Sequence, residues 1–334
     1  MNQLASSKLV ARVVPLPVVL AVLLSALFSL YTPALGAGPA PQTVKIAYAS
    51  ITQFVAGVWG AKEIGAFEKY GLAADLVYIS SGGIATAALL GGGLDMALPA
   101  SNAVVSAVLA GAPLVAVGSQ TDRPGMILWA HPEVTKIEDL QAKTLGITRH
   151  GSLTHFLTVA LLKKHGLEGK VKLQPLGGTP EVATAFNAGL IAGALQGARP
   201  GPKAHALVPE LPIPFSQGLL VVKKEFYKGS AKAVEAMLKA YIEGVAALRT
   251  NGELALKVFG KYMRGRPEGL LKEDYKSFLK FVIPVPKVNP AVIRTILDWV
   301  RKPDVPVTNF YDNTIIERLE REGFIAQLYK TSEK

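Results

Sequence analysis

The sequence has 334 residues, half of them apolar and 18% charged, with 32 glycines and 22 prolines. That balance excludes a disordered chain and leaves room for two α/β domains rich in turns. It contains no cysteine, which excludes disulfides and thiolate metal sites, and its net charge of +11 favours anionic over cationic partners.

Lys8 and Arg12 precede the apolar run Val13 to Leu30, and Ala34 and Gly36 follow with the small-residue spacing of a signal-peptidase site. Residues 1–36 therefore read as a cleavable secretory signal peptide. An uncleaved anchor is the competing reading, opposed by Pro15, Pro17, Ser25 and Ser29 within the run. Without cysteine no lipid can be attached, so a soluble bacterial periplasmic protein is expected. Residues 1–36 hold two basic residues and no acid, leaving the mature chain near +9. The basic residues are scattered, with no basic run longer than Lys223-Lys224 and no interleaved aromatics, so nucleic-acid binding is not expected.

After a Pro-containing lead-in, Val44 to Ala49 reads as a strand. Ser50-Ile51-Thr52-Gln53 is its exit loop and Phe54 to Ala66 a helix with Phe54, Val58, Ala61 and Ile64 on one face. Ser50, Thr52 and Gln53 are candidate ligand contacts because open α/β sheets bind beyond the carboxyl ends of their strands; helix capping by Ser50 or Thr52 is the alternative role. A second strand, Ala74 to Ile79, runs into Ser80-Ser81-Gly82-Gly83 and a helix over Ile84 to Leu90. That loop lets N–H groups approach an anion, yet it is neither a P-loop nor a dinucleotide fingerprint. Asp95 reads as a turn residue orienting the strand Met96 to Leu98. Ser101-Asn102 opens the helix Ala103 to Ala110, and Ala112 to Ser119 and Met126 to Ala130 are further strands.

A short helix over Thr135 to Lys143 leads into the stretch Thr144 to Leu167, TLGITRHGSLTHFLTVALLKKHGL. Its β-branched start is a strand, Arg149-His150-Gly151-Ser152 a polar turn, and the run from Leu153 a helix ending in Lys163, Lys164, His165 and the C-terminal Gly166. A strand passing through Gly-Ser into a helix points free N–H groups and hydroxyls at whatever lies above the turn. Lys172 to Leu176 is then a strand and Glu181 to Ala188 a helix, with Thr179 as N-cap and Pro180 at its first position. Leu207 to Pro214 is proline-rich, Gln217 to Val222 is a strand, and Ala231 to Thr250 is a long amphipathic helix. Val234, Met237, Leu238, Tyr241, Val245 and Leu248 form its core stripe.

Five of these pieces, in order, resemble the periplasmic substrate-binding proteins of the nitrate/sulfonate/taurine transporter family, which has thiamine-pyrimidine-binding relatives. They are Val44–Tyr48, Glu63–Leu72 with its G-x-F-x-x-x-G-L end, Gly93-Leu94-Asp95-Met96-Ala97, Ile137–Lys143, and Arg149-x-Gly151-Ser152 with its helix. The match is good over Val44 to Leu220, and Tyr311-Asp312 with the helix Ile315 to Glu322 resembles the family's C-terminal piece. One departure is Ala192-Gly193 where the family has Asp-Ala, which leaves open the register of Ala194-Leu195-Gln196 and any role for Gln196, Arg199 or Pro200. The resemblance implies a two-lobed α/β fold of the periplasmic-binding-protein type II class, each lobe a mainly parallel sheet flanked by helices, joined by two hinge crossings. Residues 37–120 with 216–334 would form lobe one and residues 121–215 lobe two.

The function implied is that of the solute-binding component of an ABC importer, a monomer delivering a small ligand to a permease and its ATPase. The ligand would be held by Ser50, Thr52, Gln53, Ser81, Gly82, Ser101 and Asn102 from one lobe and Gly151, Ser152, Thr154 and Thr179 from the other. These loops offer hydroxyls, amides and N–H groups with almost no carboxylate, which suits an anion or a neutral polar molecule. Arg149 is the best-placed positive charge, and Phe54, Trp59, Tyr78 and Phe156 are the nearby aromatics, too few to separate an alkyl from an aromatic ligand. A periplasmic sensor on the same fold is the alternative. A pyrimidine-synthesis-type enzyme is the other, but its cysteine cluster is absent. No histidine belongs to H-E-x-x-H, and no G-x-S-x-G elbow occurs. No catalytic residue, metal or cofactor is expected.

Overall fold

Two five-stranded sheets organise the chain, with strand orders β2-β1-β3-β10-β4 and β7-β6-β8-β5-β9. The structure is a computed structural model that describes residues 40–208, 210–211 and 213–330; the expected signal peptide lies outside the described residues. The first sheet comprises β1 (Gln42–Tyr48), β2 (Leu72–Tyr78), β3 (Met96–Leu98), β4 (Leu114–Ser119) and β10 (Leu219–Lys223). The second comprises β5 (Ile127–Ala130), β6 (Thr144–Ile147), β7 (Lys172–Pro175), β8 (Gly193–Gln196) and β9 (His205–Val208). β1 runs parallel to β2 and β3, and β6 runs parallel to β7 and β8. Each sheet has one reversed strand: β10 is antiparallel to both β3 and β4, and β5 to both β8 and β9. The reversed strands are those that follow the two passages of the chain between sheets, where it enters from the far lobe instead of through a local helix.

The expected first helix is broken into three pieces. A 3-10 turn over Gln53–Val55 precedes α1 (Ala56–Glu63), and Gly65, at φ +69°, separates it from α2 (Ala66–Lys69). Only a glycine adopts that conformation at no steric cost, so the helical period ends before Ile64, which is 38% exposed instead of buried. Neither Ser50 nor Thr52 caps a helix through its side chain: Thr52 precedes the 3-10 turn without a side-chain cap bond, its hydroxyl lying 3.1 Å from that of Ser50, and Val55 precedes α1.

The next helices start earlier than the sequence suggests, α3 at Gly82 (Gly82–Leu90) and α4 at Ser101 (Ser101–Leu109). The segment 135–143 contains only a 3-10 turn, Ile137–Leu140. α5 (Leu153–Lys164) matches the reading, but its buried face is Thr154, Leu157, Thr158, Leu161 and Leu162, leaving Phe156 half-buried. α6 (Thr179–Asn187) begins two residues early, with Gly178 and not Thr179 as its N-cap. β9 overlaps the start of the proline-rich stretch at Leu207 and Val208, where no strand is expected.

The remaining helices are α7 (Lys224–Gly229), α8 (Ala231–Thr250), α9 (Gly252–Tyr262), α10 (Glu268–Phe281), α11 (Pro290–Trp299), α12 (Thr314–Arg321) and α13 (Phe324–Lys330). All six stripe residues of α8 are buried against the first sheet's helical side, each worth about 1.5–3 kcal/mol of transfer free energy. α8 approaches α1 through Gly244: a Cβ there would collide with the main chain of Gly57 and Ala61. A second apolar cluster runs continuously from the first sheet to the second through Val104, Phe215, Leu219, Leu128, Leu145 and Leu157. Across it, Phe156 meets Trp299 edge-on at a centroid separation of 4.0 Å.

Candidate functional site

The loops that leave β1, β2, β3, β6, β7 and β8 all face the space between the sheets. In each sheet the neighbouring strands β1 and β3, or β6 and β8, carry the chain to opposite sides, the switch point where α/β sheets open a crevice. Four helices, α3 and α4 from the first lobe and α5 and α6 from the second, begin there. The first-turn N–H groups of a helix have no intrahelical partner and carry a partial positive charge.

These loops enclose a cavity of about 60 Å³ lined by Ser50, Thr52, Ser81, Gly82, Asn102, Gly151, Ser152, Thr154 and Thr179, together with Thr148, Gln196 and Gln217. A water needs roughly 10–15 Å³ of such space, so a small ligand head or a few waters fill it. Nine of the eleven residues expected to contact a ligand are thus brought together. Gln53 and Ser101 are not in the lining. Gln53 donates Nε2 to the Gly197 carbonyl at 2.9 Å and to Ser277 at 2.9 Å. Ser101 exchanges bonds with the main chain of Ser216, donating Oγ to its carbonyl at 3.1 Å and accepting from its N–H. Ser216 in turn bonds Ser119 and Gly218, so Ser101 belongs to a hydroxyl network tying α4 to the passages between lobes.

On the second lobe three hydroxyls form a triangle: Thr148 Oγ1 lies 2.9 Å from Ser152 Oγ and 3.0 Å from Thr154 Oγ1, and the latter two are 3.0 Å apart. Ser152 Oγ accepts from the His155 N–H at 3.3 Å and so caps α5. Gly151, at φ +76°, makes the turn into that cap. Its carbonyl accepts from Asn102 Nδ2 at 3.3 Å, and its N–H donates to His155 Nδ1 at 3.1 Å. The lobes meet again where the Ile51 N–H donates to Thr179 Oγ1 at 3.3 Å and where Arg149 Nη2 donates to Ser80 Oγ at 3.0 Å. Arg149 is exposed beside the cavity and does not line it.

Two buried side-chain atoms in the lining have no partner within the protein, Asn102 Oδ1 and Gln196 Nε2. Leaving such a group unsatisfied costs about 1–3 kcal/mol, so each can form a hydrogen bond with a ligand or water in the cavity. No side chain in the lining carries a formal charge, so neutral donors, acceptors and helix N-termini set its chemistry. Beside it, the Tyr78 hydroxyl is pushed up to about 12 by burial, then by the charge of Glu181 and by Tyr48, with Arg149 opposing.

Ser80, Thr148, Gln196 and Gln217 are the lining polar residues outside the expected set of contacts. β8 pairs in full with β5 through Gly193–Gln196, so the Ala192-Gly193 departure does not disturb the register, and Gln196 ends the strand facing the cavity. Thr148 closed the β-branched run, a strand-end hydroxyl that could have been taken with Ser152. Of the four aromatics singled out, Phe54 and Trp59 are fully buried, and none of the four lines the cavity. The rings of His150 and His155 lie edge-on, 5.1 Å apart, and among the described residues no group of three or more His, Asp or Glu side chains is placed to hold a metal.

A half-open groove of about 430 Å³ adjoins the cavity, and Thr52, Thr179 and Gln196 line both. Its far wall is Tyr262 to Pro267, the turn between α9 and α10.

No functionally curated protein matches the chain in sequence. Among solved structures, one from Bordetella bronchiseptica RB50 superposes with a TM-score of 0.69 at 18% identity, covering 85% of this chain and 98% of its own. The alkanesulfonate-binding protein SsuA from Xanthomonas axonopodis pv. citri, bound to MOPS, gives 0.65 at 17% identity over 81% and 96%. The periplasmic nitrate-binding protein NrtA from Synechocystis PCC 6803 gives 0.61 at 12% identity over 84% and 89%. At these identities the likeness is one of fold, the two-lobed α/β architecture expected. The NMT1/THI5-like family model matches residues 53–255, more than half of the sequence, and the chain belongs to that family.

Proposed function

We propose that the protein is the extracytoplasmic solute-binding component of an ABC importer, holding a small anionic or neutral polar ligand between its lobes. The observation that carries this reading is the convergence of four helix N-termini, a hydroxyl triangle and two unpartnered buried amides on one cavity without a formal charge in its lining. Ligand contacts from both lobes would stabilise a closed state relative to an open one, and hinge motion at the two passages would connect them. Lobe one then comprises residues 37–120 and 216–334, lobe two residues 121–215. The contacts are Ser50, Thr52, Ser81, Gly82, Asn102, Gly151, Ser152, Thr154 and Thr179, with Thr148 and Gln196 added; Gln53 and Ser101 support them from behind.

The solved proteins of the same fold include sulfonate- and nitrate-binding members, which makes oxyanions the first class to test. Export by the signal peptide 1–36, a periplasmic location, a monomeric state and direct contact with a permease belong to the same proposal. No helix among the described residues is long and apolar enough to cross a membrane. Binding without turnover belongs to the same proposal, with hydroxyls, amides and main-chain N–H groups as the lining's contacts. A thermal-shift screen of the chain from Ala37 against nitrate, small sulfonates, carboxylates and pyrimidines tests the reading. A ligand at about a hundred times its dissociation constant adds roughly 2.7 kcal/mol. A folded protein that responds to none of them would contradict it.

A further inference from the structure

Two side chains of the cavity wall, one from each lobe, are buried with a hydrogen-bonding atom that no protein group meets. Asn102 stands in the first turn of α4 and is 6% exposed; Gln196 ends β8 and is 3% exposed. The unmet atoms are Asn102 Oδ1 and Gln196 Nε2, and both residues line the cavity.

The two atoms call for opposite partners. Gln196 Nε2 is a donor and takes an acceptor; Asn102 Oδ1 is an acceptor and takes an N–H or O–H. The Asn102 amide is fixed in its orientation, because Nδ2 donates across the lobes to the Gly151 carbonyl at 3.3 Å. Turning it over would set two oxygens against each other. The Thr148, Ser152 and Thr154 hydroxyls can donate or accept and so do not discriminate. The helix N-termini favour partial negative charge, which the oxygen of a dipolar group supplies as well as an ion does. An ion with acceptors only therefore meets half of the demand. Gln196 and the N-termini suit it, but Asn102 Oδ1 would face another oxygen, and no formal charge in the lining offsets its own.

We infer that Asn102 and Gln196 are a specificity-determining pair that selects an uncharged group bearing an NH2 beside an oxygen, of the carboxamide, urea or sulfonamide class, over an acceptor-only oxyanion of the same shape. The oxygen accepts from Gln196 Nε2 and the NH2 donates to Asn102 Oδ1, so one small group is gripped from both lobes. This rests on the proposed receptor function and narrows its ligand to the neutral, donor-bearing side. Leaving Asn102 Oδ1 unpaired is worth about tenfold to a hundredfold in affinity.

The test uses pairs that differ in the donor and the charge but hardly in shape: methanesulfonamide against methanesulfonate, and acetamide against acetate. Dissociation constants are read by ligand-observed NMR titration of the chain from Ala37 near neutral pH. In the unmodified protein the NH2 member of each pair is expected to bind at least about tenfold more tightly. Asn102→Leu removes the acceptor and should bring that ratio towards one or below. Asn102→Asp, which loses the same bond to Gly151 but keeps an acceptor, should retain or widen it. Equal or tighter binding of the anionic members to the unmodified protein would overturn this inference and leave the receptor reading intact. An unchanged ratio in folded Asn102→Leu, or a lost one in folded Asn102→Asp, would overturn it too. If neither NH2 member binds the folded protein, the inference fails, and the receptor reading then stands or falls on the wider ligand screen.

Discussion

Arg266 donates Nη1 to the main-chain oxygen of Arg199 at 2.9 Å, and Arg199 returns an ion pair to Glu273 at 3.1 Å. The two arginines thereby join the first lobe, at α10, to the end of β8 in the second. Arg266 is held for this by Asp274, which is 2% exposed and takes both remaining arms of the guanidinium.

Removing one member of that buried pair leaves the other charged and uncompensated. Asp274→Ala should therefore lower stability by about 3–5 kcal/mol, whereas replacing both residues by apolar ones of similar volume should recover most of the loss. Urea unfolding of the two variants measures the difference.

Gln196 gives the opposite pattern. Its buried Nε2 has no protein partner, so Gln196→Leu removes an unsatisfied donor. Ligand-free stability should hold or rise, by up to about 1–3 kcal/mol, while ligand affinity falls. Thermal melts and titrations on the same sample separate the two effects.

Ser152 and Ser101, both serines at helix starts, should behave differently. Ser152→Ala removes the α5 cap and one corner of the hydroxyl triangle, costing about 1 kcal/mol of stability and weakening ligand binding. Ser101→Ala removes the two side-chain bonds to Ser216, away from the cavity lining, and leaves the Ser101 N–H bonded to the Ser216 carbonyl. It should cost about 1 kcal/mol with affinity nearly unchanged.

His155 links stability to pH. Burial, and then the nearby His150, lower its proton affinity, so below the ordinary value near 6.5 the unfolded chain binds more protons than the folded one. The contribution of neutral His155 is present in full above that value and is lost as pH falls through and below it. Protonation also removes Nδ1 as acceptor for the Gly151 N–H. Between about pH 7.5 and about pH 5, the melting temperature of the unmodified protein should fall further than that of His155→Gln.

Gly244 tests the packing of the scaffold. Gly244→Ala puts a methyl group against the main chain of Gly57 and Ala61, and overpacking of that kind costs about 1–3 kcal/mol. Chemical denaturation reads it directly.

Much of this was legible in the sequence because it is local. The α8 stripe, the Gly-Ser turn before α5 and the Ser-Ser-Gly-Gly loop each carry their own periodicity or turn chemistry. The helix starts at Gly82, Ser101 and Thr179 precede any apolar period, because the small and polar residues there supply none. The breaks at Gly65 and over 135–143 needed backbone conformation that composition does not give. What the sequence could not show is which hydroxyls are already spent. Ser101 looks like Ser152 in one dimension, and only the return of the chain at Ser216 shows that its bonds are taken. Gln196 followed an unexpected Ala192-Gly193, and it is the pairing of β8 with β5 that aims it at the cavity.

A ligand held between the lobes would rest against Gln196, Ser152 and the helix N-termini. The most direct measurement is titration calorimetry of the unmodified chain, Gln196→Leu and Ser152→Ala with whichever oxyanion or polar ligand raises the melting temperature most. Saturable one-site binding, weakened tenfold or more in both folded variants, is the predicted result. Equal affinity in all three proteins would place the ligand elsewhere and contradict the claim.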